Sequence, residues 1–336
     1  TGGSMALARR VLACMSADEY RFFVDPAMDR WDASIELIRT RSEDGVETML
    51  ENLRKTEAPV LLTSWSSPTT PADVAQRAPA LKYLCHTCGT LRKIVVREAI
   101  ANGLLVTNWG GSISRSVAEH TLLLMLACLR NISQIQIGMH VQKTWTRPEP
   151  RGLFERRVGM HGFGNVAREL LKLMAPFDCK VSAFSPYEPD EAFSRLNVKR
   201  CKTAEELYAS NDIIACVAPL TDETRGCVTE KLLRSIPENG VFVNTGRGAV
   251  VDEKALARVA AEGKLHIGID VYEVEPLPPD SPLRGLPNAL LTPHMAGPTP
   301  DRRVDCGRFA FENIRNYFAG RPVQAIIDAQ KYDLQT

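Results

Sequence analysis

A chain of 336 residues has room for about two ordinary domains, each with its own apolar core. Its 41 Lys and Arg stand against 40 Asp and Glu, and the formal net charge of +1 excludes the strong basic field that nucleic acid or an anionic membrane surface selects. Nine scattered cysteines, several inside apolar runs, read as reduced thiols packed like small hydrophobes, and point to an intracellular, cytoplasmic setting.

Thr1-Gly2-Gly3-Ser4 ahead of Met5 reads as a cloning scar, and no secretory signal is visible. From Arg10 to Asn108, short apolar runs at 11–15, 60–63, 81–85 and 104–107 alternate with helical patterns near 46–55, 71–78 and 94–102. That alternation predicts a parallel sheet with helices on its faces, here without a phosphate-binding turn. Cys85-His86-Thr87-Cys88 has C-x-x-C spacing, but lacks a second pair for zinc and a following redox helix, so no metal is expected.

A long helix is predicted from Ser116 to about Ile137. Its most apolar part, Val117 to Leu129, is too short to span a bilayer and contains Glu119 and His120, which marks it as a buried helix. The polar, Pro-rich stretch 143–150 then reads as a surface connection to a second domain. Strands are expected there at 157–161, 180–184, 213–217, 241–244, 266–271 and 289–292, and helices near 165–175, 203–209, 229–235 and 252–262. Strands and helices in that order predict a doubly wound sheet. A last helix, 301–319, can return the chain to the first domain.

The second domain opens on Arg157-Val158-Gly159-Met160-His161-Gly162-Phe163-Gly164-Asn165-Val166-Ala167, a strand running into Gly-x-Gly-x-x-Ala and then a helical pattern. Gly162 permits the tight turn, Gly164 permits close approach of backbone to a pyrophosphate, and a small Ala167 lets the helix pack on the strand. Backbone N–H groups and the helix dipole then receive the phosphate charge. The run Lys180 to Phe184 supplies the next strand of the βαβ unit.

Three further segments fall at predicted strand ends: Asn244-Thr245-Gly246-Arg247-Gly248, Asp270-Val271-Tyr272-Glu273-Val274-Glu275-Pro276, and Thr292-Pro293-His294-Met295-Ala296-Gly297. Together with the glycine turn and Val117-Ala118-Glu119-His120-Thr121 they resemble the D-isomer-specific 2-hydroxyacid dehydrogenases, among them glyoxylate and hydroxypyruvate reductase-like members. The resemblance runs from about residue 80 to 320. It implies an α/β fold of two Rossmann-like or flavodoxin-like domains with a cleft between them. Residues 5–115 plus 300–336 would form a discontinuous substrate domain, and residues 116–299 the NAD(P)-binding domain.

By the same resemblance, Arg247 binds the substrate carboxylate and reacting oxygen, Glu275 hydrogen-bonds His294, and His294 is the acid and base. Gly162, Phe163, Gly164, Asn165, Val166, Ser185, Pro219, Thr245, Gly246, Asp270 and Gly297 would contact the cofactor. Cys88, Gly89, Thr90 and Arg92 would contact the substrate, and the enzyme would be a homodimer. The chemistry supports these types. Reducing a 2-keto acid needs a proton donor with a pKa near neutrality, a neighbouring carboxylate stabilises imidazolium, and the planar arginine fork matches a carboxylate.

Several positions depart from the family pattern. Where the second strand normally ends in the acid that binds the ribose hydroxyls of NAD, this chain has Ser185. The barrier to NADP is thereby lost, yet no Arg or Lys follows at once to hold its 2'-phosphate, so the sequence leaves NAD or NADP open with a lean to NAD. The usual Asp of the substrate loop is replaced by Arg92, which adds a cation for a more polar substrate or begins a solvated helix. Asn108-Trp109-Gly110-Gly111 replaces a proline-containing turn, and His161 sits where relatives have an apolar residue. Glu275 argues against formate oxidation, where glutamine takes its place. A nucleotide-sensing corepressor on the same fold is the alternative function.

Overall fold

In this computed structural model residues 9–333 are described, so the N-terminal tetrapeptide lies outside them. The chain divides into two compact units, Thr1–Ile113 with Pro298–Thr336, and Ser114–Gly297. In the first, β1 (Arg10–Met15), β2 (Glu36–Arg41), β3 (Val60–Thr63), β4 (Tyr83–His86) and β5 (Leu105–Thr107) form a parallel sheet in the order β2-β1-β3-β4-β5. This is the flavodoxin-like order.

The second unit holds β6 (Arg157–His161), β7 (Lys180–Phe184), β8 (Lys199–Arg200), β9 (Ile213–Cys216), β10 (Gly240–Asn244), β11 (Leu265–Ile269) and β12 (Ala289–Leu291). Its seven parallel strands run in the order β12-β11-β10-β9-β6-β7-β8. The chain starts at β6, goes outward through β7 and β8, then returns to β9 on the other side. The crevice between β6 and β9 is thus the topological switch point, where open α/β sheets bind ligands.

Both sheets are buried on two faces, which is why their strands read as continuous apolar runs. In β9, Ile213 and Ala215 join one core cluster while Ile214 and Cys216 join the opposite one. In β1, Leu12 and Cys14 face one core and Val11, Ala13 and Met15 the other. The helix Ser114–Leu129 covers β10 and β11, and Gly268 makes room for it, since a Cβ there would sit 3.0 Å from Leu124. The helix Arg303–Phe318 belongs to the first unit, where Cys306, Ala310, Phe311 and Ile314 enter the core.

The long helix predicted over 116–137 divides instead at Asn131, whose φ of 54° ends one helix before Ile132–Gln136 begins. Neither β2 nor β8 was expected. In β2, Glu-Leu-Ile-Arg-Thr-Arg carries charges on an edge that needs few apolar residues, and β8 is two residues long. Cys85 and Cys88 are buried, and desolvation pushes their thiols up to about 11 and about 12, which leaves them protonated and inert. Among the described residues no single helix is long and apolar enough to cross a membrane.

Candidate functional site

At the switch point, β6 delivers the chain to Gly162, whose φ of +96° and whose approach to Ala218 exclude a side chain; a Cβ there would lie 2.9 Å from the Ala218 backbone. Gly164 caps the ten-residue helix Asn165–Met174, and a Cβ built on it meets nothing within 4 Å. The helix N-terminus is therefore open to an approaching phosphate, and its N–H groups and dipole suit one. Asn165 is exposed and Val166 half-buried beside it. Phe163 offers only its backbone, because its ring is in the core, stacked on Phe193 at 4.6 Å.

A cavity of about 350 Å³ opens beside this turn, lined by residues that include His161, Gly162, Ser185, Tyr187, Lys202 and Pro219. It lies at the carboxyl ends of β6, β7 and β9, and it is of a size for a nucleoside. His161 shares its Nδ1 with the Tyr208 hydroxyl at 3.0 Å, and burial pulls its pKa down to about 4, so it is neutral at pH 7. The unfolded chain takes up that proton near pH 6.5, and the folded one only near 4. Stability contributed by neutral His161 is thus complete above 6.5 and lost as pH falls toward 4, by roughly 3 kcal/mol. Denaturant unfolding at pH 7.5 and 5 should show this loss in the wild type and a smaller one in His161→Gln; equal losses would remove His161 as the cause.

Three adjacent strand ends carry the candidate catalytic groups. After β10, Asn244 folds the turn by accepting from Gly246 N–H at 3.1 Å and donating to the Arg247 carbonyl at 3.1 Å. Gly246 lies against the Ala218 carbonyl and Gly248 against the Tyr272 backbone, where a Cβ would overlap. Thr245 is buried with its hydroxyl 2.7 Å from that of Thr121. Arg247 donates to the Gly246 carbonyl at 2.8 Å. Desolvation holds its pKa below the ordinary arginine value, opposed by the charge of Glu275, and the guanidinium remains a cation.

After β11, Glu275 divides its oxygens: Oε1 accepts from Tyr272 N–H at 3.0 Å, and Oε2 lies 2.5 Å from His294 Nδ1. One bond pins the carboxylate to its own loop and the other fixes the imidazole, leaving Nε2 at the far side of a half-exposed ring. After β12, His294 has a φ of 50°, a left-handed backbone that is uncommon for a residue with a Cβ. Its N–H donates to the Asp270 carbonyl at 2.9 Å. The structure thus brings His294, Glu275 and Arg247 to one end of the sheet.

Asp270, expected among the cofactor contacts, is fully buried and serves the histidine loop. Its carboxylate accepts from the Thr292 hydroxyl at 2.6 Å and from Met295 and Ala296 N–H, each at 2.9 Å, and His120 Nε2 stands 3.5 Å away. Desolvation raises its pKa, but these donors outweigh it and keep the group below the usual carboxylate range. Gly297 closes the loop, half-buried. His120 also reaches the Thr292 hydroxyl at 3.1 Å, a packed and partnered group.

In the first unit the loop after β4 holds the expected substrate residues. Cys88 is buried with Sγ 3.4 Å from Ser64 Oγ, so only its backbone is available. Gly89 lies under the Trp109 indole, where a Cβ would come within 2.6 Å of the ring, and its carbonyl accepts from Asn108 Nδ2 at 2.9 Å. Trp109 is therefore the packing that shapes this loop, and exposed Trp65 stands edge-on to it at 6.1 Å. Thr90 is half-buried; Arg92 is exposed in a turn rather than a helix. His86 is buried, 3.0 Å from Thr63 Oγ1, with burial pulling its pKa down to about 3.

Comparison with known proteins identifies the family. The family described as D-isomer specific 2-hydroxyacid dehydrogenase, NAD binding domain, matches residues 122–296. The chain is 31% identical over 308 residues to the hydroxypyruvate reductase of Thermotoga maritima, covering 88% of this chain and 97% of that protein. It is 30% identical to the D-3-phosphoglycerate dehydrogenase of Methanocaldococcus jannaschii, over 84% of this chain but 53% of the relative, so it spans about half of that protein's length. In fold it is similar to the D-isomer specific 2-hydroxyacid dehydrogenase of Lactobacillus delbrueckii, solved with NAD, with a TM-score of 0.80 at 19% identity over 95% of this chain and all of the other. The chain belongs to the D-isomer specific 2-hydroxyacid dehydrogenase family, and residues 122–296 carry its NAD-binding domain.

Proposed function

We propose that this protein interconverts a small 2-keto acid and its D-2-hydroxy acid, with His294 as acid and base, Glu275 as its partner and Arg247 as the substrate's carboxylate anchor. The observation that carries this reading is the 2.5 Å contact between His294 Nδ1 and Glu275 Oε2, with Arg247 at the neighbouring strand end. NAD or NADP, held at the glycine turn by the N-terminal N–H groups of the helix Asn165–Met174, would supply or accept the hydride at the substrate carbon. In reduction, charge gathers on the carbonyl oxygen and His294 Nε2 donates the proton to it. Glu275 holds the ring's tautomer and stabilises imidazolium. In the oxidative direction the same nitrogen takes the hydroxyl proton.

The hydroxypyruvate reductase relative supports hydroxypyruvate as a substrate, with glyoxylate and a larger analogue as the other candidates. A panel of 2-keto acids assayed separately with NADH and NADPH tests the reading. Dinucleotide binding with no turnover on any of them would replace it with a nucleotide-sensing role.

The second unit also exposes a run of large apolar side chains, Leu123, Ile132, Met139, Val141, Trp145 and Phe154. Isolated exposed hydrophobics are ordinary, but six within one stretch of chain favour a buried protein contact. We infer a C2 homodimer through this segment. Sedimentation at micromolar concentration should give a dimer, and Trp145→Asp should shift it toward monomer; a wild-type monomer would defeat the inference.

A further inference from the structure

We propose that the cavity beside the glycine turn selects a dinucleotide carrying a 2'-phosphate, so that the cofactor is NADP(H), held by Ser185 Oγ and Lys202 Nζ. The inference rests on reading this crevice as the dinucleotide site. It starts from the sheet. β7 and β8 pair with Ser182 opposite Lys199 and Ala183 opposite Arg200, and Cys201 N–H continues the ladder to the Ala183 carbonyl at 2.8 Å. Carried one step further, that register sets Lys202 beside Ser185 at the carboxyl end of β7. Both residues line the cavity.

No carboxylate stands directly at the end of β7 to repel an anion. A site for NAD places a carboxylate there, to accept from the two ribose hydroxyls and to repel a phosphate. Ser185 offers a small neutral hydroxyl instead. The nearby acids are already engaged. Glu188 is bound by Arg168 at 2.6 Å, Asp190 by Arg200, and Glu206 by Lys199 at 2.9 Å and by the Lys202 backbone N–H at 2.9 Å. Of the two acids lining the cavity, Glu223 accepts from the neutral Tyr187 hydroxyl at 2.9 Å and keeps its charge, and Glu205 lies 4.0 Å from Lys231, both outside the β7–β8 pairing that sets Lys202 beside Ser185.

The exposed Lys202 ammonium is the cation at the cavity wall. The Arg200 guanidinium, paired with Asp190, donates to the Ser185 carbonyl at 3.4 Å and braces this strand end. A phosphate is a point of concentrated negative charge, for which an ammonium and a hydroxyl donor are suitable partners.

Calorimetric titration of the full chain with NADPH and NADH, and with 2',5'-ADP and 5'-AMP, tests this without any 2-keto acid present. The 2'-phosphorylated member of each pair is expected to bind about tenfold more tightly or better, the scale of one charge-assisted hydrogen bond. Lys202→Ala, a surface change that leaves the core intact, should remove most of that advantage without weakening NADH. Ser185→Asp should reverse the preference. Tighter or equal binding of NADH by the wild type would overturn the proposal, as would a ratio that Lys202→Ala leaves unchanged. Selective NADPH binding with no reduction of any 2-keto acid would sustain this inference while defeating the proposed activity; failure of both dinucleotides to bind would defeat both.

Discussion

Replacing His294 by alanine is expected to lower kcat/KM toward 2-keto acids by about 10²- to 10⁴-fold while dinucleotide affinity is retained. The retained affinity follows from position. The glycine turn and the cavity stand at the ends of β6, β7 and β9, whereas His294 follows β12 at the edge of the sheet. The rate loss follows from chemistry, since no other described residue at these strand ends pairs an imidazole with a carboxylate at 2.5 Å. His120, the other histidine nearby, has its Nε2 committed to Thr292 and Asp270 and cannot take over. Glu275→Gln is the informative companion: it keeps a side chain long enough to accept from Tyr272 N–H but removes the charge that stabilises imidazolium, and its loss should be smaller than that of His294→Ala. A near-normal rate in His294→Ala would end the acid–base assignment.

The candidate site was legible in the sequence wherever backbone geometry restricts the residue type. Gly162 has to turn at φ +96°, Gly246 and Gly248 have to lie against other backbone, and each such demand leaves a glycine in a fixed place along the chain. The fold was legible for the same kind of reason, because strands buried on both faces leave unbroken apolar runs such as Ile213 to Cys216.

What stayed hidden depends on neighbours distant in the chain. No cation follows Ser185 directly in the chain; Lys202 arrives from β8, a two-residue strand with no apolar signature, and only the β7–β8 register sets it beside Ser185. Strand β2 went unread because an edge strand with charged alternate positions looks like a loop. Trp109 showed as a departure from the family pattern, but that its indole lies on Gly89 is a fact of packing between the ends of β4 and β5.

Asp270→Ala is expected to destabilise the second unit by about 3 to 5 kcal/mol and to lower its unfolding temperature by several degrees. The wild-type carboxylate is buried, and it satisfies the Thr292 hydroxyl and the Met295 and Ala296 N–H groups together. Truncation leaves those donors without an acceptor, at about 1 to 3 kcal/mol for each buried one, and the relief of no longer burying a charge offsets only part of the sum. The loop so loosened is the one that holds His294 at a φ of 50°, a conformation that persists only while its surroundings enforce it. Activity should therefore fall with stability, even though Asp270 has no exposed surface with which to touch a ligand. Asp270→Asn preserves one acceptor oxygen but turns an amide N–H toward a backbone donor, so it should lie between the wild type and alanine in both measurements. His120→Phe removes only the 3.5 Å contact and one bond to Thr292, and should cost less than either. Thermal unfolding, kcat and dinucleotide affinity measured on all three variants separate the roles. An unchanged unfolding temperature combined with lost dinucleotide binding would return Asp270 to the cofactor site and remove it as the anchor of the histidine loop.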